Sequence, residues 1–238
     1  MIASATLSIL GLVFSSFCMK KVLNDNGSKQ FFYPIFIFTI ISLAFYTYLL
    51  MSSYSIKSNF VIALLLTFLI LNIVLLFLMF LKPAHHLALV LLPLTTVSVF
   101  LTLIFDYQNT IDKIDNDLFL HIIFSLVSYG LLGLAAIQAL LLKFQEQKLK
   151  TLDNSLLSNL LPSMEVMEKI MFDLIVIGFL LLTLAILTGA PFVAVETFGA
   201  GLQKITFSII AWVVYSYLIY QLLFEEGTYP WFPALQDP

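Results

Sequence analysis

LFLHIIFSLVSYGLLGLAAIQALLLKF, residues Leu118–Phe144, is the stretch that decides the fold. It exceeds the roughly 20 apolar residues that carry a helix across about 30 Å of hydrocarbon. At helical spacing His121, Ser125, Ser128, Leu132, Ala135, Ala136 and Ala139 fall on one stripe. All but Leu132 are polar or small, so the stripe either lets a second helix approach closely or lines a slot below the histidine.

Working outward, apolar runs of similar length recur at about 2–19, 32–52, 60–81, 87–105, 170–190 and 205–224, with 119–143 as the fifth of seven. Of 238 residues 61% are hydrophobic and 11% charged, against about 25% charged in an ordinary soluble domain. Mean hydropathy is +1.04. The expected fold is an all-α, polytopic membrane bundle, with one transmembrane domain over 1–224 and a short inner tail over 225–238. Lys20 and Lys21 follow the first run instead of preceding it, which reads as a retained helix and not a secretory signal.

Lysine placement gives the orientation. With the N-terminus outside, Lys20, Lys21, Lys29, Lys82, Lys143, Lys148, Lys150 and Lys169 lie inside, and only Lys57, Lys113 and Lys204 outside. His121 then stands at the outer mouth of span five. The longest inner connection, 145–168, is polar and offers a docking surface for a soluble cytoplasmic partner. Within it Pro162-Ser163-Met164-Glu165 reads as the start of another helix, with Glu165 and Glu168 in its first turns.

Chemistry-bearing residues are few. The single cysteine, Cys18, excludes an intrachain disulfide and any CxxC motif. Asn72, in mid-span, is expected to hydrogen-bond to a neighbouring helix. His85 and His86 point about 100° apart on a helix, a poor geometry for chelation, and an interfacial position is the reading that follows. No nucleophile–base pair or phosphate loop is visible, so catalysis is not expected, nor is a nucleic-acid partner. Scarce intramembrane charge argues against a transporter. His121 is the exception: a neutral imidazole is a common axial ligand of haem iron, although by position alone an interfacial histidine with no ligand is the commoner case.

The second half of the chain resembles the cytochrome c assembly protein family, the CcsA/ResC and HemX-like integral membrane proteins that handle haem. The likeness lies in His121 with Ser125, Ser128 and Tyr129, running into Gln138, and in Gly178-Phe179-Leu180-Leu181-Leu182-Thr183-Leu184…Thr188-Gly189-Ala190. Met167-Glu168-Lys169 before that run and Lys204, Thr206, Trp212, Val214 and Tyr215 after it also match. The resemblance covers about 118–224; the first four spans agree only in number and character.

The resemblance implies a haem-handling accessory of cytochrome c assembly in a bacterial inner membrane. His121 would ligate the iron, with Ser125, Ser128 and Trp212 against the porphyrin and assembly components as partners. The chain departs from the family at 192–206 (FVAVETFGAGLQKIT), where the tryptophan-rich loop ending in W-D-P-K-E-T is replaced. The second outer histidine and the intramembrane imidazole of the haem exporters are missing too, and the chain is expected to be a short member lacking an eighth helix. The alternative is a non-catalytic regulatory subunit without haem, modulating tetrapyrrole synthesis or divalent-cation tolerance as HemX-like and short relatives do.

Overall fold

A computed structural model describes residues 2–24, 29–54, 60–105, 116–150, 162–193 and 200–224. These form seven helices: α1 (Ile2–Asn24), α2 (Lys29–Ser53), α3 (Phe60–Leu81), α4 (His85–Ile104), α5 (Asn116–Lys150), α6 (Met164–Val193) and α7 (Ala200–Phe224). The described residues contain no strand. Each helix covers one of the seven apolar runs. Six are long and apolar enough to cross a membrane, and α7 carries the apolar stretch Ile205–Gln221. Phe17, Phe31, Phe60 and Phe207 are each more than 70% exposed, a pattern suited to lipid and costly in water. The fold is a polytopic helical membrane bundle.

Three helices outrun their apolar cores. α5 continues through the polar Gln145–Lys150, and α1 passes Lys20 and Lys21 to Asn24. The turn at Pro162–Ser163 opens α6 itself, with Met167 N–H donating to Ser163 O at 3.1 Å, so the expected separate helix is the first turns of span six. Glu165 sits in that first turn, where its charge favours the helix dipole.

The chain falls into two compact units, Met1–Asp115 with Gly133–Met171, and Asn116–Leu132 with Phe172–Pro238. In the first, α1 packs on α2 and α4, and α3 on α4 and α2. Lipid tails are as apolar as leucine, so the hydrophobic effect does not pair helices in a bilayer; close approach and interhelical hydrogen bonds do. Ser8, Gly11 and Ser15 of α1 provide both. Ser8 bonds Ser42 at 3.1 Å and Ser15 bonds Thr39 at 2.9 Å. Between them a Cβ on Gly11 would sit only 3.1 Å from Thr39 Oγ1. Tyr46 and Thr102 bond at 2.7 Å. Asn72 Nδ2 donates to Thr95 Oγ1 on α4 at 2.8 Å, the interhelical bond expected of it.

The second unit holds the beginning of α5, most of α6 and α7. Residues 225–238 and the 194–199 part of the substituted loop lie outside the described residues, as does 151–161 of the inner connection.

Candidate functional site

The second unit is built on a seam between α5 and α6, and glycines make it close. A Cβ on Gly178 would lie 2.8 Å from Leu132 Cδ2 and 2.9 Å from its Cγ. A residue with a side chain there would push the helices apart. Ser128, fully buried, donates to Gly178 O at 2.9 Å and ties the seam at the same level.

Eleven residues further along α6 the same face carries Gly189. There a Cβ would meet His121 Cε1 at 2.6 Å, so the missing side chain makes room for the imidazole. His121 Nδ1–H donates to Ala185 O at 2.9 Å, and Thr188 Oγ1 lies 3.5 Å from the same nitrogen. A carbonyl can only accept, so Nδ1 carries the proton and the neutral ring holds its lone pair on Nε2. A ligating histidine is commonly oriented in this way, its second nitrogen bonded to a carbonyl.

α7 meets a different face of α6. Trp212 Nε1–H donates to Thr183 Oγ1 at 3.0 Å, and its ring stacks on Phe179 with centroids 5.6 Å apart. On a helix Phe179 and Thr183 lie about 100° and 140° around from Gly178 of the Gly178–Ala185–Gly189 stripe. Tyr129 on α5 bonds Ser208 on α7 at 2.7 Å. His121, Ser128 and the glycines therefore share the α5 seam, while Trp212 stands on the neighbouring face. Ser125 is half-buried, one turn from His121.

The sequence stripe needs one correction. Ala135 is buried as its place in the stripe implies, but Ala136 and Ala139 are exposed, and Gln138 and Gln145 are buried instead. Gln138 answers His86 across the helices. His86 is 1% exposed, and its Nε2 lies 2.9 Å from Gln138 Oε1. Gln138 Nε2 in turn donates to Met167 O at 3.1 Å. The three groups tie α4, α5 and α6 inside the first unit. His85 diverges to Tyr33 Oη at 3.1 Å, so the adjacent pair does not chelate. Among the described residues no three His, Cys, Asp or Glu side chains gather as a metal site would require.

The family model described as Cytochrome C assembly protein matches residues 2–232. The chain belongs to the cytochrome c assembly protein family. The match takes in the first four helices, which the sequence motifs left outside the resemblance, and it supports a role in cytochrome c biogenesis. Neither a curated protein nor a solved structure matches the chain. Several of the residues that marked the family hold these contacts: Gly178 and Gly189 set the distance to α5, Thr188 flanks His121, and Thr183 receives Trp212 on the neighbouring face.

Proposed function

We propose that this protein handles haem as a non-catalytic accessory of cytochrome c assembly, with His121 as its protein ligand to iron. The observation that carries the proposal is the Nδ1–H bond from His121 to Ala185 O, in a space that Gly189 leaves open. Those residues fit an axial ligand, since the bond orients the ring and keeps the lone pair on Nε2. Haem is the cargo, and its iron has an axial position that a neutral imidazole fills.

In this reading Ser125 and the stacked Phe179–Trp212 pair give the porphyrin its further contacts. Ser128, committed to Gly178 O, supports the helix seam beneath it. Lysine placement supports an outside N-terminus, which puts His121 at the outer face of a bacterial inner membrane. Assembly proteins would meet it on that side, and the polar connection 145–168 would serve cytoplasmic partners.

Ferric haem titrated into the purified, detergent-solubilised protein tests the reading. A Soret band that saturates in the parent and is lost in His121→Ala is the expected outcome. A parent that develops no such band, or a His121→Ala variant identical to it, overturns the proposal.

A further inference from the structure

Where α3 meets α4 in the first unit, three buried polar side chains have more acceptors than donors. Asn72, Thr95 and Ser98 are each 1% exposed or less. Asn72 stands in the middle of α3, and Thr95 and Ser98 lie one turn apart on the buried face of α4. The Asn72 amide fits only one way round. Its nitrogen is 2.7 Å from Phe68 O, and because a carbonyl only accepts, the NH2 end must face it. The other amide hydrogen goes to Thr95 Oγ1 at 2.8 Å. Both hydroxyl protons are committed to α4 itself: Thr95 Oγ1–H donates to Leu91 O at 2.8 Å, and Ser98 Oγ–H to Thr95 O at 2.7 Å. Every donor of the three side chains is thus in use. Asn72 Oδ1 is left buried with no hydrogen bond among the described residues, and the Ser98 hydroxyl keeps lone pairs with which to accept.

Such an acceptor needs a donor from outside the three side chains. Leaving a buried amide oxygen without one is costly, and most of all at hydrocarbon depth, where bulk water cannot reach it. We propose that Asn72 Oδ1 and Ser98 Oγ bind a single water between α3 and α4, which donates one proton to each. Water carries two donors in the smallest volume, and buried waters characteristically join polar groups that have no other partner. The Asn72–Thr95 bond holds the amide within a turn of Ser98, so one molecule bridges the two oxygens. A monovalent cation would also seek oxygens. These are all neutral, however, and none of α1 to α4 contains an Asp or Glu to offset its charge. The water gives α3 and α4 a second polar link beside the direct bond, and it does not rest on the haem reading.

The experiment is water-edited solid-state NMR of the full chain in lipid vesicles, isotope-labelled at nitrogen. The Asn72 side-chain signal is assigned by its loss in Asn72→Leu. Magnetisation started on water should reach Asn72 Nδ2 at a mixing time too short to reach the backbone amides of the fully buried Leu65 and Leu75 on the same helix. Ser98→Val removes one acceptor and fills the space beside it, and the transfer should be lost. Ser98→Ala removes the acceptor alone and should weaken the transfer about twofold, since the water keeps one of its two partners. His121→Ala should leave it unchanged.

No transfer to Asn72 in the parent, or undiminished transfer in Ser98→Val and Ser98→Ala alike, overturns the inference. An Asn72 signal that shifts when sodium is exchanged for potassium would place a cation at the site and overturn it as well. Transfer as expected in a protein that develops no Soret band would uphold the water and overturn only the haem reading.

Discussion

His121 and His86 each hydrogen-bond to a neighbouring helix through a ring nitrogen, yet their surroundings differ in what they can tolerate. His121 is half-buried and leans on a backbone carbonyl that the helix supplies whatever the side chains are. His86 is buried among α4, α5 and α6, and its bond to α5 is made by one side chain, Gln138. A ligand bound to backbone keeps its orientation through most substitutions around it. A structural tie made from two side chains fails when either is lost. The contrast separates a site that presents a group from a contact that holds helices together.

The largest effect should come from the seam that positions His121. Gly178→Val would drive a branched side chain into Leu132, already 2.8 Å from where a Cβ would stand. Overpacking of this kind costs about 1–3 kcal/mol, and the two points of collision put this case near the upper end. Thermal unfolding in detergent should show it. A variant as stable as the parent would mean that the helices of the second unit are not in close contact.

Next comes the tie at His86. Gln138→Leu takes from the buried His86 imidazole its partner on α5, at about 1–3 kcal/mol, while Met167 O keeps its intrahelical partner. His86→Phe removes the imidazole together with the bond. The double variant should therefore recover part of the stability lost in Gln138→Leu, and a strictly additive pair would break the comparison drawn above. Ser128→Ala sits lower, at about 0.6 kcal/mol, the mean for interhelical hydrogen bonds in a membrane. Gly178 O keeps its own intrahelical partner when Ser128 is lost, so no group is orphaned. A cost as large as that of Gln138→Leu would show that the two ties are of one kind.

The contrast also explains what could be read from the chain. Spans were legible because apolar length is a local property, and Asn72 was legible because a lone amide in hydrocarbon must find a partner. The seam was half legible: Gly178, Ala185 and Gly189 recur at helical spacing, but nothing local says that Gly189 faces an imidazole. The burial of His86 was not legible because its neighbours in sequence, Lys82 and Pro83, mark a helix boundary, and its partner Gln138 is 52 residues away, a pairing with no local trace. The available signal was Gln138 itself, a polar residue deep in an apolar run, in register with Gln145 seven positions on. The family signature had the opposite bias. Most of its motif residues lie in the second unit, with Gln138 and Met167-Glu168-Lys169 in the first, whereas the family match extends across α1 to α4 as well.

Trp212 gives the sharpest test of how far the His121 site extends. Its indole bonds Thr183 and stacks on Phe179, on the α6 face next to the one that holds His121. Trp212→Phe keeps a ring over Phe179 and drops the indole bond, so the His121 tautomer should not move. Haem affinity should fall only if the porphyrin reaches round α6 to this face. The aromatic contact is then worth about 0.5–1.5 kcal/mol, or about two- to tenfold in Kd for Trp212→Ala, and less for Trp212→Phe. An unchanged Kd in both variants would confine the site to the α5 seam, with Trp212 serving only to pin α7 to α6. A loss as great as that of His121→Ala, with the fold intact, would move the centre of binding to the α7 face and take the leading role from His121.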